Sequence, residues 1–384
     1  MNFDSAHYDG RGPALVKHTF IRKYLPTLIA KISSRYNRFV YIDLFAGPWE
    51  ERTEDFSDTA FGIAFEAMRG AKAVWQRNGR SVEMIAHLVD TNSQAIAKQK
   101  WLADRYPDIR VQHHLGRAEE KQSSILGAIP QDAFSFVYID PKGVPDIRKF
   151  RNLIERANSE VFLNFMFEFA NRFAGTERMP TLDWLTDLDQ NPSEFRNEIS
   201  SLSGEARETA LTDKARDTLA RMGEFRYSPA ITVDEEAVDR CLYKLIYLSR
   251  HPMGIRVFRD AQQAALTAQA VNRTARKSAR NADRTGMDDL FAAVEPINQA
   301  ERSARMLQRG NREGVKRAIQ LIQASGDQGI KWGDLWPSVL EDMDITHSQL
   351  AKAIAQARKA GELEIPNWGP KVRVPRDEYL IKSL

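Results

Sequence analysis

Three short apolar segments, each ending in an aspartate, constrain the fold of this chain more than any other feature. Residues 38–43, 82–90 and 133–140 are typical of buried strands that close on Asp43, Asp90 and Asp140. Helical patterns alternate with them, including helices near 118–128 and 146–157, and further strands are predicted at 109–115 and 160–165. Strands alternating with helices predict a parallel α/β sheet, whose ligands bind at the carboxyl ends of the strands. We therefore expect the three aspartates to share one edge of the sheet.

The chain length accommodates more than one domain. Residues 1–260 are predicted to form the α/β domain, with a helical insertion at about 166–222 and two late strands at 225–233 and 240–248. Residues 261–310 are predicted to be a basic helical linker. Residues 311–384 follow the order helix (312–325), short strand, two helices and a hairpin closed by 372–374, which predicts a winged helix-turn-helix domain. Thr346 and Gln349 fit a capping box at the start of its third helix.

Basic residues are concentrated late in the chain, although the net charge is only +3. The stretches 273–284 and 302–317 carry most of the excess, and in the first the cations recur every three or four residues on one helical face. Such a face is either simply solvated or follows nucleic-acid phosphates. A winged helix likewise docks either nucleic acid or protein. The predicted contacts with DNA or RNA are Arg273, Arg276, Lys277, Arg280, His347, Lys352 and Trp368.

The turn after the first strand consists mostly of small residues. Residues 43–47, Asp-Leu-Phe-Ala-Gly, resemble the first motif of class I S-adenosylmethionine (SAM) methyltransferases. A cofactor that lies across strand ends requires a turn without bulky side chains. Asp90 is expected to accept from the ribose hydroxyls, although both it and Asp43 could instead cap the segment that follows. The predicted cofactor-binding residues are Asp43, Phe45, Ala46, Gly47, Asp90 and Arg117.

The fourth strand ends in Asp140-Pro141-Lys142-Gly143, and in this fold that position faces the transferred methyl group. A carboxylate there can orient or deprotonate an incoming nucleophile. The segment matches half of the Asp-Pro-Pro-Tyr motif of nucleic-acid amino methyltransferases, so the methyl acceptor stays open. Asp140 and Lys142 are the predicted catalytic residues. Cys241 is predicted in a late strand away from this loop, which argues against covalent cysteine chemistry.

Taken together, these segments resemble the three-Cys-motif partner proteins (TcmP). The resemblance rests on residues 17–18, 23–25, 41–48, 140–143 and 163–165, and the tail resembles the winged-helix domain attached to some members. It implies a Rossmann-like class I methyltransferase sheet, a SAM cofactor and a partner resembling radical-SAM enzymes. The chain departs from the family pattern at Trp49 and Lys142. The resemblance adds four residues to the active-site edge at Asp140: Lys17, His18, Asn164 and Arg172. Of these, Asn164 is predicted to be catalytic.

Two functions follow from these features. The first is a SAM-dependent methyltransferase that acts on nucleic acid, in the phage- or defence-related setting that the resemblance implies. The alternative is a catalytically inactive methyltransferase-like protein that binds nucleic acid or a partner protein. A single cysteine, no N-terminal signal pattern and no long apolar run predict a cytoplasmic protein without membrane contact. No metal site is predicted.

Overall fold

The computed structural model describes residues 5–47, 51–173, 180–285 and 301–384. The chain divides between His251 and Pro252 into two compact units, called here the N-terminal unit and the C-terminal unit. Within the described ranges, no helix combines the length and the apolar character needed to cross a lipid bilayer.

The N-terminal unit alternates strands and helices after a 3-10 turn at Ser5–Tyr8. Its strands are β1 Arg38–Asp43, β2 Glu83–Asp90, β3 Ile109–Leu115, β4 Phe134–Ile139, β5 Ser159–Phe165, β6 Ala230–Asp234 and β7 Cys241–Leu248. Its helices are α1 Gly12–Ile32, α2 Ala60–Arg77, α3 Ser93–Ala103, α4 Ala118–Ala128, α5 Arg151–Ile154, α6 Phe167–Phe173, α7 Pro192–Ser201 and α8 Gly204–Met222. Further 3-10 turns occur at Ile147–Phe150 and Pro180–Thr186.

The central sheet of the described residues has the order β3-β2-β1-β4-β5-β7-β6. Strands β1 to β5 pair in parallel, and β7 runs antiparallel to both of its neighbours. The predicted α/β fold with a mostly parallel sheet is confirmed. Two boundaries were wrong: the strand predicted at 225–233 begins only at Ala230, and the helix predicted at 146–157 is a 3-10 turn followed by the short α5.

Alternation along the strands creates two apolar faces. On β4, Phe136 and Tyr138 lie on the face covered by α1, where Phe20 of α1 stacks on Phe162 of β5 with ring centroids 4.7 Å apart. Val137 and Ile139 lie on the opposite face, in a core shared with α4, α5 and α8. Because side chains of a strand alternate between faces, the acids at the strand ends also fall on defined faces.

The C-terminal unit contains α9 Pro252–Thr285, α10 Arg302–Ala324, β8 Ile330–Lys331, α11 Trp332–Asp342, α12 His347–Lys359, β9 Leu363–Glu364 and β10 Leu380–Ser383. The three short strands form an antiparallel sheet in the order β8-β10-β9. The capping box of Thr346 and Gln349 is present. The strand predicted at 372–374 was wrong: β10 pairs instead, and Arg373 and Val374 are exposed.

Helix α10 begins ten residues before the helix predicted at 312–325. Its buried face carries Gly310 and Gly314, where an added Cβ would lie 2.5 Å from Cβ of Asp344 and 2.7 Å from Cγ2 of Ile345. These glycines therefore allow the close approach of the segment before α12. The predicted linker at 261–310 is largely helical where it is described, and residues 286–300 lie outside the described ranges.

Candidate functional site

Asp43, Asp90 and Asp140 lie at the carboxyl ends of β1, β2 and β4. Strand β1 pairs in parallel with both β2 and β4, so the three strand ends meet at one edge of the sheet. The sequence-based expectation of a shared edge therefore agrees with the strand order. This is the edge at which open α/β sheets bind their ligands.

Asp43 is a buried carboxyl that is 1% exposed. One oxygen accepts from the Phe45 amide at 3.1 Å, and the other accepts from the Tyr41 hydroxyl at 3.2 Å. Burial raises the pKa of Asp43 to about 7; the Phe45 amide opposes this shift, and the nearby Asp140 carboxylate adds to it. Among the described residues, no Lys, Arg or His side chain forms an ion pair with Asp43. The carboxyl is therefore placed to receive a cationic group.

Asp140 is held by three donors from three elements. Its Oδ2 accepts from the Lys17 ammonium of α1 at 2.5 Å and from the Tyr138 hydroxyl at 3.0 Å. Its Oδ1 accepts from the Asn164 side-chain amide of β5 at 2.7 Å. The side chains of Lys17 and Asp140 are each 15% exposed. The site thus holds a fixed carboxylate at the edge of the sheet, with a lysine and an asparagine beside it.

Of the four residues implied by the family resemblance, two contact Asp140 and two have other partners. Lys17 and Asn164 meet at Asp140, as described above. His18 is buried, and its Nδ1 lies 3.0 Å from the Tyr8 hydroxyl; burial, with the charges of Lys17 and Arg11, lowers its pKa well below the usual range. Arg172 is exposed on α6 and pairs with Glu168 at 3.9 Å. Lys142 is exposed on the loop after β4.

The turn after β1 is tied to its neighbours by backbone hydrogen bonds. The Ala46 amide donates to the Val89 carbonyl at 2.8 Å, and the Ala46 carbonyl accepts from the buried Gln99 side chain at 2.9 Å. The Oε1 atom of the same Gln99 side chain lies 3.1 Å from Nδ1 of His113. Phe45 and Gly47 are half-buried in the same turn, and Trp49 lies outside the described residues. The turn is therefore fixed by α3 and β3, which sequence reasoning did not anticipate.

Asp90 is half-buried at the end of β2. Its Oδ1 accepts from the Asn92 amide at 2.6 Å, whereas Oδ2 accepts no hydrogen bond from a described residue. Asn92, not Asp90, caps α3 by accepting from the Gln94 amide at 2.9 Å. Asp90 thus keeps an oxygen for a ligand hydroxyl. Arg117 is exposed after β3 and lies 3.6 Å from Glu119.

Sequence reasoning also missed a buried ion pair that fixes the loop after β1. Arg11 donates to Asp58 at 2.7 Å, and the side chains are 6% and 2% exposed. Asp58 further accepts from the Arg52 amide at 2.8 Å and from the Thr53 hydroxyl at 2.7 Å. The start of α1 is thereby joined to residues 52–58. A lone Arg and a lone Asp separated by 47 positions give no sequence signal of such a contact.

In the C-terminal unit, the predicted nucleic-acid contact at Arg273 is corrected, whereas His347 and Trp368 are half-buried against neighbouring side chains. Arg273 is 0% exposed and pairs with Glu301 at 2.6 Å, because α9 and α10 pack over it. His347 packs against Trp332 and Trp336 with ring centroids 5.4 and 5.1 Å away, and burial lowers its pKa to about 4. Trp368 is half-buried, with the Arg358 guanidinium 4.8 Å from its ring centroid.

The other predicted contacts of this unit are at least partly accessible. Arg280 and Lys352 are exposed, and Arg276 and Lys277 are half-buried on α9. Helix α12 presents a polar face of exposed residues spaced three or four apart, at Ser348, Lys352, Gln356 and Lys359. This face is available to a partner of complementary charge.

The N-terminal site was tested for its fit to SAM, the cofactor that the sequence implies. SAM carries an ammonium group and two ribose hydroxyls. Asp43 is a buried carboxyl that has no cationic partner among the described residues, and Asp90 keeps an unbonded oxygen within the same ranges. Both features fit such a cofactor. In the described parts of the chain, no group of three His, Cys, Asp or Glu side chains is arranged to hold a metal.

Comparison with known proteins adds context to this fold. No protein-family profile matches the sequence, and no curated protein sequence matches it. Solved structures with similar folds include a protein from Klebsiella pneumoniae provisionally assigned as an O-methyltransferase (13% identity, 60% of this chain and 80% of that chain, TM-score 0.30). A DUF574-family protein from Streptomyces avermitilis (12%, 60% and 82%, 0.30) and loganic acid methyltransferase with SAH (10%, 78% and 95%, 0.30) are also similar. Overlaps this loose assign no function.

Proposed function

We propose that this chain is a SAM-dependent methyltransferase that acts on nucleic acid. The observation that carries the proposal is the meeting of Asp43, Asp90 and Asp140 at the carboxyl edge of one sheet, on adjacent strands β2, β1 and β4. Each acid has a different environment, which suits three different tasks at one bound ligand. The likeness of the sequence to TcmP proteins supports the same function.

In this proposal, SAM supplies a methyl group bound to a positively charged sulfur. Asp43 balances the ammonium of the methionine end, and Asp90 accepts from a ribose hydroxyl through its Oδ2. Phe45, Ala46 and Gly47 form the turn that the cofactor crosses, and Arg117 lies on the adenine side. Asp140 orients the methyl acceptor, since Lys17 and Tyr138 hold its carboxylate in one position.

The C-terminal unit serves the nucleic acid in this proposal. Its order of helix α10, strand β8, helices α11 and α12 and strands β9 and β10 is the order of a winged helix-turn-helix. Helix α12 is then the recognition helix, and its exposed Lys352 and Lys359 contact phosphates. Either DNA or RNA fits this face. A partner resembling radical-SAM enzymes belongs to the same proposal through the family resemblance.

The cofactor assignment is tested by calorimetric titration of SAM into the wild type and Asp90→Ala. Loss of hydrogen bonds to a charged acceptor, at about 1.5–3 kcal/mol each, should weaken binding by at least about tenfold. Asp132→Ala is the matched control, because Asp132 precedes β4 at the opposite edge and pairs with Arg38 at 2.7 Å. Absence of SAM binding by the wild type, or equal affinities of wild type and Asp90→Ala, would contradict the proposal.

A second candidate is a catalytically inactive methyltransferase-like protein that binds nucleic acid or a partner protein. It is favoured by the contact of Lys17 with Asp140, because the chain's own ammonium occupies the catalytic carboxylate. Methyl transfer from labelled SAM to DNA or RNA separates the two candidates. Transfer that is lost in Asp140→Ala supports the enzyme, whereas SAM binding without transfer to either polymer supports the binding protein.

A further inference from the structure

One buried atom beside Asp140 lacks a hydrogen-bond partner among the described residues: Oδ1 of Asn164. Asn164 lies on β5, the strand next to β4, and is 5% exposed. Buried side-chain acceptors are nearly always paired in folded proteins, because an unpaired one loses its hydration without compensation. The unpaired oxygen therefore indicates a donor that arrives with a ligand.

The orientation of this amide is set by chemistry. The Asn164 nitrogen lies 2.7 Å from Oδ1 of Asp140, and an ionised carboxylate only accepts hydrogen bonds. The nitrogen must therefore face Asp140, which leaves Oδ1 of Asn164 as an acceptor. A flipped amide would bring two acceptors together and is excluded.

Asp140 has a matching vacancy in its hydrogen bonding. Its Oδ2 already accepts from Lys17 and Tyr138, whereas Oδ1 accepts from Asn164 alone among the residues that the structure describes. Each carboxylate oxygen has two lone pairs, so Oδ1 of Asp140 has room for one more donor. The two open acceptors are Oδ1 of Asp140 and Oδ1 of Asn164. They lie close together, because only the Asn164 amide group and its hydrogen bond to Asp140 separate them. A single group with two hydrogens can satisfy both.

Building on the methyltransferase function proposed above, we propose that these two acceptors bind the exocyclic amino group of a nucleobase, which is the methyl acceptor. An amino group offers two N–H donors, whereas a hydroxyl offers one and a ring carbon none. In the reaction, the amine nitrogen forms the N–C bond with its lone pair, and the S–C bond breaks with its electron pair staying on sulfur. One amine proton passes to Asp140. Asn164 is thereby a specificity-determining residue.

The chemical class of the acceptor is tested with labelled SAM and single-stranded homopolymers, followed by digestion to nucleosides and mass spectrometry. Methyl groups are expected on the amino nitrogen of adenine, cytosine or guanine and not on poly(dT), which has no amino group. Product on a ring carbon, a ring nitrogen or a ribose hydroxyl would overturn the inference. Calorimetry with SAM and the site of the label separate the failures: methyl transfer to a position other than an amino nitrogen refutes the inference alone, whereas SAM binding without any transfer, or absent SAM binding, refutes the methyltransferase function itself.

The role of Asn164 is tested with Asn164→Leu and Asn164→Asp across pH. Leucine removes both hydrogen bonds and should lower kcat by about 100-fold. In the aspartate variant, the adjacent carboxylates raise the pKa of one of them, and a protonated Asp copies the donor and acceptor of Asn. Its activity should therefore rise as the pH falls, whereas Asn164→Leu should stay inactive.

The matched control is Asn158→Leu, which loses a 3.1 Å hydrogen bond from Tyr36 at the opposite end of β5. This variant should keep wild-type kcat and product. Equal activities of Asn164→Leu and Asn164→Asp at every pH would show that Asn164 does not bind the amino group of the methyl acceptor. Wild-type activity of Asn164→Leu would overturn the inference in the same way.

Discussion

The pH dependence of stability offers a direct test of the environment assigned to Asp43. Burial raises the pKa of its carboxyl from 3.8 to about 7. Between these values the folded state keeps a proton that the unfolded state releases, so the stabilisation is complete below about pH 4 and is lost as the pH rises towards 7. Three pKa units correspond to an upper bound of about 4 kcal/mol.

The perturbation is Asp43→Asn, which removes this titration and keeps the acceptor for the Phe45 amide. The free energy of unfolding in urea, measured from pH 4.5 to 7.5, should shift in favour of the variant as the pH rises, by up to about 4 kcal/mol. Asp58→Asn is the control: hydrogen bonds from Arg11 and Thr53 outweigh burial and lower the pKa of Asp58. The loss of unfolding free energy caused by Asp58→Asn should stay constant from pH 4.5 to 7.5 and become smaller only at lower pH.

The same carboxyl links protons to the cofactor. With a pKa of about 7, roughly nine tenths of Asp43 is protonated at pH 6. A bound ammonium favours the ionised form, so SAM should release nearly one proton at pH 6, measured by calorimetry in buffers of different ionisation enthalpy. If the free energies of unfolding of wild type and Asp43→Asn differ by the same amount at every pH, the raised pKa of Asp43 is refuted. SAM binding without proton release would refute the contact with the ammonium.

Three further predictions concern the C-terminal unit. Arg273→Ala leaves the Glu301 carboxylate buried without its cation, so the free energy of unfolding in urea should fall by about 3–5 kcal/mol, whereas Arg273→Met with Glu301→Leu should recover most of the loss. The lowered pKa of His347 predicts that stability rises with pH from about 4 to 6.5, and His347→Ala, seen by the same assay, should abolish that slope. Lys352→Ala should reduce the salt dependence of DNA or RNA binding by about one unit of slope, measured by fluorescence anisotropy. An unchanged slope would exclude a phosphate contact.

The order of strands and helices in the N-terminal unit was predictable because its signals are local. Residues 109–115 and 118–128 form β3 and α4 with the predicted bounds. In the first segment the apolar Ile109, Val111 and Leu115 occupy alternate positions between Pro107 and Gly116, as in a strand. In the C-terminal unit the residues at 372–374 alternate as a strand would, yet β10 at Leu380–Ser383 takes the place beside β9. Which of two short segments pairs depends on contacts distant in sequence, and alternation alone does not contain them.

The candidate site was predictable only where a residue's position in the fold determines its neighbours. Asp43, Asp90 and Asp140 follow from that logic, because they end adjacent parallel strands. Arg273 does not: its spacing places it with Arg276 and Arg280 on α9, but packing of α10 buries it against Glu301. Helical spacing defines a face without saying what covers that face.

The surroundings of Asp140 separate the two functional candidates more sharply than the three acids do. An ion pair that only fixed α1 to the sheet would be complete with Lys17 and Asp140. Yet Asn164 also donates to this carboxylate, and its own buried oxygen has no partner in the described parts of the chain. That arrangement is costly for a scaffold and useful to an enzyme, because it holds two acceptors ready for one amine. Lys17 then fixes Asp140 in position without taking up Oδ1, the carboxylate oxygen that faces Asn164.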